Sequence, residues 1–165
     1  MTDERERDRR RSFVRERRTA IFGYARKAHG PSMSVVIYAT DSEDRILVST
    51  MRDRSKAKAV AANPKASLCI LNEQWPLTYL QVYCNAQVDS DVERSTDLMV
   101  RIAEVMAGKE MPESARPGVE RMCRREQRVV LELSPYATFL TPPRHVSEAE
   151  DLETLTHTTS SSMPW

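Results

Sequence analysis

Residues 77–89, "LTYLQVYCNAQVD", alternate in polarity along their length. Leu80, Val82, Cys84, Ala86 and Val88 fall on one face of an extended chain, and Tyr79, Gln81, Tyr83, Asn85 and Gln87 on the other, because successive side chains of a strand point to opposite sides. A strand this long, apolar on one face and amphipathic on the other, suits the wall of a barrel whose outer face meets another surface.

Outward from this strand the chain reads as a run of further strands. "AIFGYA" (20–25), "MSVVIYAT" (33–40) and "RILVST" (45–50) precede it, separated by turns through His29-Gly30-Pro31 and "DSED" (41–44), residue types that favour tight reversals. "ASLCILN" (66–72) comes next, and "RVVLEL" and "ATFLT" follow as two last strands around Ser134-Pro135. Helical signals are fewer. Lys56 to Ala62 favour a short helix, capped by Asp53 or Ser55 and ended by Asn63 before Pro64. Residues 91–107 switch to helical period, with Leu98, Ile102 and Val105 in line and Met99 and Met106 beside them, and a second short helix covers Gly118 to Arg125. The methionine stripe reads as core packing.

The two ends differ from this middle. Residues 1–17 form a charged N-terminal arm or helix with Asp3/Arg7 and Glu6/Arg10 at helical spacing, and Phe13 and Val14 as its only apolar anchors. Residues 142–165, rich in Ser, Thr and Glu, read as a disordered tail with little to bury except Trp165. Neither end is expected to contribute to the core. Residues 18–141 are then one domain, an α+β fold built as a six- to seven-stranded, mainly antiparallel split β-barrel with peripheral helices.

Composition narrows the function. A formal net charge of +1 over 165 residues gives no global field for nucleic acid. Arginines outnumber acids in the arm, but five interleaved acids and the lack of aromatics favour a solvated helix over a nucleic-acid contact. No run approaches the roughly 20 apolar residues of a membrane span, so no membrane association is expected. Cys69, Cys84 and Cys123 lie far apart and form no CxxC motif, which places the protein in a reducing cytoplasm. His29, His145 and His157 are scattered, without metal-ligand spacing. Phosphate-binding glycine loops, nucleophile elbows and zincin motifs are absent from the sequence. An enzyme built from this chain does not carry its own obvious nucleophile.

One cluster stands out. "STMRDRSKAKAVAANPK" (49–65) sets Ser49 and Thr50 at the end of a strand and crowds Arg52, Arg54, Lys56 and Lys58 around the corner into the next helix. Like charges this close repel unless solvent screens them or an anion sits among them. Arg54 offers a planar fork of donors and Lys56 a compact charge. Ser49, Thr50 and Ser55 offer hydroxyls, and the helix N-terminus offers free backbone N–H groups. A solvated basic helix face is the competing reading.

The ordered set of features from Arg18 onward resembles the pyridoxamine 5′-phosphate oxidase-like proteins, the FMN-binding split-barrel superfamily. It comprises Arg18-Thr19-Ala20 before the first strand, Gly30-Pro31-x-x-Ser34, the Ser49-Thr50 strand end, Arg54-Ser55-Lys56, and Asn63-Pro64-Lys65-Ala66-Ser67-Leu68. The likeness continues more weakly through "YLQVYCNAQVD" and "RVVLELSPYATFL" and covers roughly residues 18–140. It implies that the corner holds a cofactor phosphate through Ser49, Thr50, Arg54, Ser55 and Lys56. It implies also that Ser34, Val35, Val36 and Ile37 line a flavin-type ring with backbone groups, in a cleft between the two protomers of a homodimer. Trp75 and Tyr79 either close that cleft from the partner or pack at the interface.

The implied cofactor is FMN or the deazaflavin F420. Four cations exceed the need of one phosphate, which favours the deazaflavin with its phosphodiester and polyglutamate tail. The implied function is an oxidoreductase moving a hydride between that cofactor and a small-molecule substrate. A carrier or sensor of flavin, haem or another small ligand on the same scaffold is the alternative. Two departures stand against a simple transfer of the family pattern. Cys84 occupies a strand position where relatives commonly have glycine, implying altered packing or a reshaped pocket. Arg144-His145 only loosely echoes the arginine and histidine that hold pyridoxamine phosphate, so vitamin B6 is a poor substrate expectation.

Overall fold

The computed structural model describes residues 3–74, 78–140 and 161–165. Helix α1 (Asp3–Glu16) leads into β1 (Thr19–Tyr24), β2 (Ser32–Thr40) and β3 (Ile46–Met51). Helix α2 (Ser55–Ala62), β4 (Lys65–Leu71), β5 (Tyr79–Asp89) and α3 (Val92–Ala107) follow. A 3-10 turn (Glu113–Ala115), α4 (Arg116–Arg125), β6 (Arg128–Leu140) and β7 (Ser161–Pro164) complete the chain.

The strands form one antiparallel sheet in the order β3-β2-β1-β4-β5-β6-β7. β3 also pairs with β6, from Ile46↔Leu133 to Met51↔Arg128, which closes six strands into a barrel and leaves β7 as an added strand. The expected α+β barrel with peripheral helices is the observed architecture. Alternation makes it. Leu80, Val82, Cys84 and Ala86 of β5 are buried, and they meet Phe22, Leu68, Ile70, Ile46, Val48, Leu131 and Leu133 in one interior cluster. Each such large apolar side chain contributes roughly 1.5–3 kcal/mol by leaving water.

Outside the barrel wall, α3 lays Leu98 and Ile102 over Ala39 and Val130, with Ile37, Leu47 and Met99 at the margin. Asp91 caps the helix by accepting from the Glu93 N–H at 2.8 Å, and Gly108 ends it at φ 66°, where a side chain would be strained.

Three expectations change. The last two strands are one, β6, running straight through Pro135. The ladder with β5 shifts register between Tyr83 and Cys84, where Pro135 lies opposite, so the imino residue sits at an irregularity where a regular ladder bond is not required. The arm is not a bystander. Val14 is fully buried in the barrel cluster, and its carbonyl accepts from the buried Tyr38 hydroxyl at 2.7 Å. Arg10 is buried as well and donates to Glu6, to Thr138 Oγ1 at 2.9 Å and to Ser161 Oγ at 2.6 Å. The third change concerns the end of the chain. Residues 161–164, expected within a disordered tail, pair with Ala137–Leu140, and Trp165 packs against the core beneath Arg11. Arg10 explains both, since its fork ties α1 to β6 and β7 at once. The tail from Thr141 to Ser160, with Arg144 and His145, lies outside the described residues.

Cys84 also finds its reason here. Its side chain is fully buried inside the barrel and burial pushes its thiol up to about 12. It is part of the barrel's interior packing.

Candidate functional site

β3 delivers the strand end Ser49-Thr50 to one rim of the barrel, and pleating separates the two hydroxyls. Ser49 faces outward, on the side of Leu47 and α3, whereas Thr50 is buried and faces inward. The chain then turns through Arg52 to Arg54 into α2. Arg54, not the expected Asp53 or Ser55, takes the N-cap position in extended conformation with no side-chain cap, and the first turn of α2 contains no acid. The helix N-terminus therefore presents N–H groups that no side chain satisfies, a ready site for an anion.

A groove of about 230 Å³ opens beside this corner. Val35, Val36 and Ile37 of β2 form one wall, Met99 and Ile102 of α3 the other, and Ser49, Lys56 and Arg128 supply its polar groups. The sequence reading named five of these eight residues. Val35 is 72% exposed, an apolar side chain standing open on the outer sheet face next to Met33, also at 72%.

The electrostatics of the groove are unbalanced. Burial, reinforced by the neighbouring Arg54 charge, lowers the Lys56 ammonium below the usual lysine value. The ammonium lies 5.9 Å from the centroid of Phe22, whose ladder partner is Ser34. Ser34 Oγ is buried and has no hydrogen-bond partner among the described residues. Neither Lys56 nor Arg54 forms an ion pair among the described residues, whereas Lys58 pairs with Asp53 at 3.5 Å. A half-buried ammonium without a carboxylate partner and an uncapped helix start fit an anionic group such as a phosphate. The apolar walls fit a flat ring beside it. By this test the residues present suit a flavin or deazaflavin mononucleotide.

The other expected residues spread away from this groove. Ser55 faces a second, more open groove of about 470 Å³ with Arg26, Lys27, Lys58 and Asn63. Tyr79 stands at the far end of β5, lining a cavity of about 220 Å³ under α1 with Phe13, Leu80 and Leu140. That cavity is apolar and lacks the unpaired cations of the corner, so it is the weaker candidate for an anionic cofactor. Trp75 lies outside the described residues.

Sequence reasoning missed Arg128, Met99 and Ile102. Met99 and Ile102 were read as core alone, yet their stripe also borders the groove. Arg128 could not be placed without the β3–β6 ladder, which sets it opposite Met51. A single basic residue opening an otherwise apolar strand was its only signal. The approach to it is held by Gln127, whose φ of 49° turns the chain out of α4, and whose carbonyl accepts from the Arg52 N–H at 2.9 Å. The corner and the start of β6 are thus physically joined.

Comparison with solved structures gives the same barrel repeatedly. A conserved hypothetical protein from Mycobacterium tuberculosis superposes with a TM-score of 0.68 at 18% identity, covering 91% of this chain and 94% of that one. An F420 reductase gives 0.59 at 17% identity, over 77% and 93% of the two chains. The haem storage protein of Vibrio cholerae gives 0.54 at 16%, over 82% and 91%. At such identities the likeness is one of fold. No curated protein sequence matches significantly. The pyridoxamine 5′-phosphate oxidase family profile, however, matches residues 7–141, which takes in most of α1 and the whole of the closed barrel, and the chain therefore belongs to that family.

Proposed function

We propose that this protein is an oxidoreductase that holds FMN or F420 in the groove between β2 and α3 and passes a hydride to or from a small organic substrate. The observation that carries this reading is the half-buried Lys56 ammonium, which lines the groove without a carboxylate partner among the described residues. An anionic ligand would offset the partial loss of water around this ammonium. Lys56, Arg54 and the first N–H groups of α2 hold the phosphate, and Ser49 lines the groove beside them. Val35 to Ile37, with Met99 and Ile102, exclude water from the ring. A bound flavin or deazaflavin ring supplies the hydride chemistry itself.

The F420 reductase among the structural neighbours and the surplus of cations favour the deazaflavin over FMN. Exposed apolar side chains at Met33, Val35 and Tyr136 suit contact with a second copy, which supports reading the protein as a homodimer. The thiols, none in a disulfide among the described residues, accord with a reducing cytoplasm. A nucleic-acid role is disfavoured, because Arg7, Arg9, Arg10, Arg11 and Arg15 of α1 are engaged with carboxylates of their own chain. A carrier role for flavin or haem is the second reading, favoured by the fold shared with the haem storage protein.

Fluorescence and absorption titration with FMN and F420 tests the proposal. Arg54→Ala and Lys56→Ala should each weaken binding about 10- to 150-fold, the loss of one charge-assisted hydrogen bond of about 1.5–3 kcal/mol. Wild-type protein that takes up neither cofactor at micromolar concentration sinks the reading. Uptake without turnover of any hydride acceptor leaves the carrier.

A further inference from the structure

Arg128 differs from every other cation around the groove in being fixed. Glu126 accepts from its Nε at 2.8 Å, Ser49 Oγ accepts from Nη1 at 3.2 Å, and the Met99 sulfur lies 3.6 Å from the same nitrogen. Those contacts come from the α4–β6 junction, β3 and α3, so three separate elements set the plane of one guanidinium. Its Nη2 has no partner among the described residues, yet the side chain lines the groove. A long, entropically costly side chain pinned on one edge and open on the other is a preorganised donor.

Charge balance says what it donates to. The Glu126 carboxylate neutralises Arg128 at contact distance. Lys56 and Arg54 have no such counterion among the described residues. A phosphate is drawn to the uncompensated pair. The compensated guanidinium, set among Val35, Ile37, Met99 and Ile102, suits a neutral or partly charged oxygen on a flat, otherwise apolar body.

We infer that Arg128 is a ligand-binding residue that reads a carbonyl-type oxygen on the edge of the ring occupying the groove, while Lys56 takes the anionic group of the same molecule. The division of labour rests on the flavin-type occupant proposed above. Arg128 thereby selects for a planar heterocycle with an imide or carbonyl edge and against a purely hydrocarbon ring. Ser49 and Glu126 act through it. Its Nη2 is the ligand-facing atom.

The test compares FMN with riboflavin, the same ring without its phosphate, by flavin fluorescence on the full-length protein. Arg128→Met should lose about 10- to 150-fold in affinity for both ligands alike. Lys56→Ala should lose a comparable factor for FMN and little for riboflavin. Arg128→Lys, which keeps charge but not the fork, should fall between wild type and Arg128→Met on both ligands, and it carries the test if the methionine variant does not fold by its thermal melt. If the protein takes up only the deazaflavin, F420 and its phosphate-free riboside replace the flavin pair. A loss confined to the phosphorylated ligand overturns the inference and makes Arg128 a phosphate ligand. Unchanged affinity in both Arg128 variants, with wild type binding normally, overturns it outright. Wild type that binds none of the four overturns the functional reading and this inference together.

Discussion

Two basic regions face opposite rims of one barrel and could hardly be treated more differently. In the N-terminal segment Arg7, Arg9, Arg10, Arg11, Arg15 and Arg17 each lie 2.5–3.7 Å from a carboxylate. At the α2 corner Arg52, Arg54 and Lys56 have no carboxylate partner among the described residues, and only Lys58 meets one. The density of charge in the sequence is higher at the first region. The uncompensated charge is at the second. Counting basic residues does not locate a binding site; finding the ones whose counterion is missing does, because a half-buried cation without a partner carries a desolvation cost that a ligand removes.

The strongest way to break this contrast is at its structural end. Arg10 is 3% exposed and is tied to Glu6, Thr138 and Ser161. Arg10→Ala leaves those acceptors unsatisfied at the α1–β6–β7 junction, and should cost about 3 kcal/mol, or roughly 6–12 °C in melting temperature for a chain of this size. Affinity for FMN or F420 should not change. A stable variant with lost affinity would reverse the assignment of the two regions.

Removing residues 161–165 should cost less, about 2 kcal/mol from the β7 pairing and the packing of Trp165. Calorimetry of the truncated chain checks it. A melting temperature equal to that of the full chain would mean that Arg10 holds α1 through Thr138 alone.

Arg10 and the chain end mark where the sequence was not readable, and the barrel where it was. Alternation in β5 and the apolar runs of β1 to β4 gave the barrel, since burial on one face writes itself into every second residue. The Ser49–Lys56 corner was equally legible, because crowded like charge is a local property. What stayed hidden was long-range. Arg10 looks like a solvated helix charge until the position of Thr138 is known, and Arg128 looks like a strand edge until β3 is beside it. Pro135 reads as a break between strands, because only the register shift opposite Tyr83 and Cys84 lets one strand pass through it. The Ser/Thr-rich end hides a strand for the same reason: "SSMP" has no apolar pattern of its own, and its partner lies far back along the chain.

At the functional end the contrast can be sharpened by pH. The Lys56 ammonium is held below the usual lysine value by burial first and by Arg54 second. The folded protein therefore binds fewer protons than the unfolded chain between the lowered and the ordinary value, and without ligand its stability should rise with pH across that window. An anion reverses the preference by favouring the ammonium. Affinity for FMN should accordingly fall as pH climbs through the lowered value, with proton uptake on binding that titration calorimetry in two buffers detects. In Lys56→Ala both effects should vanish. Proton uptake that survives the substitution would assign it to another group.

The smallest effect is the most discriminating, because a merely structural cation and a ligand-holding one predict opposite signs. Arg54 caps α2 with its backbone alone and its side chain is exposed without a partner among the described residues. Replacing it by alanine removes no contact in the free protein and relieves repulsion against Lys56. Stability without ligand should stay within about 0.5 kcal/mol of wild type, tending upward. Arg15→Ala is the matched control from the other region, since it removes a fork donating to Asp44 at 2.6 and 2.5 Å from an equally exposed position. That change should be slightly destabilising, by up to about 1 kcal/mol. Chemical denaturation of the two variants at low and high salt reads the difference, because screening should shrink both effects toward zero. If Arg54→Ala instead destabilises the free protein as Arg15→Ala does, its side chain has a structural partner, and the charge at the corner is compensated from within the chain, not by a ligand.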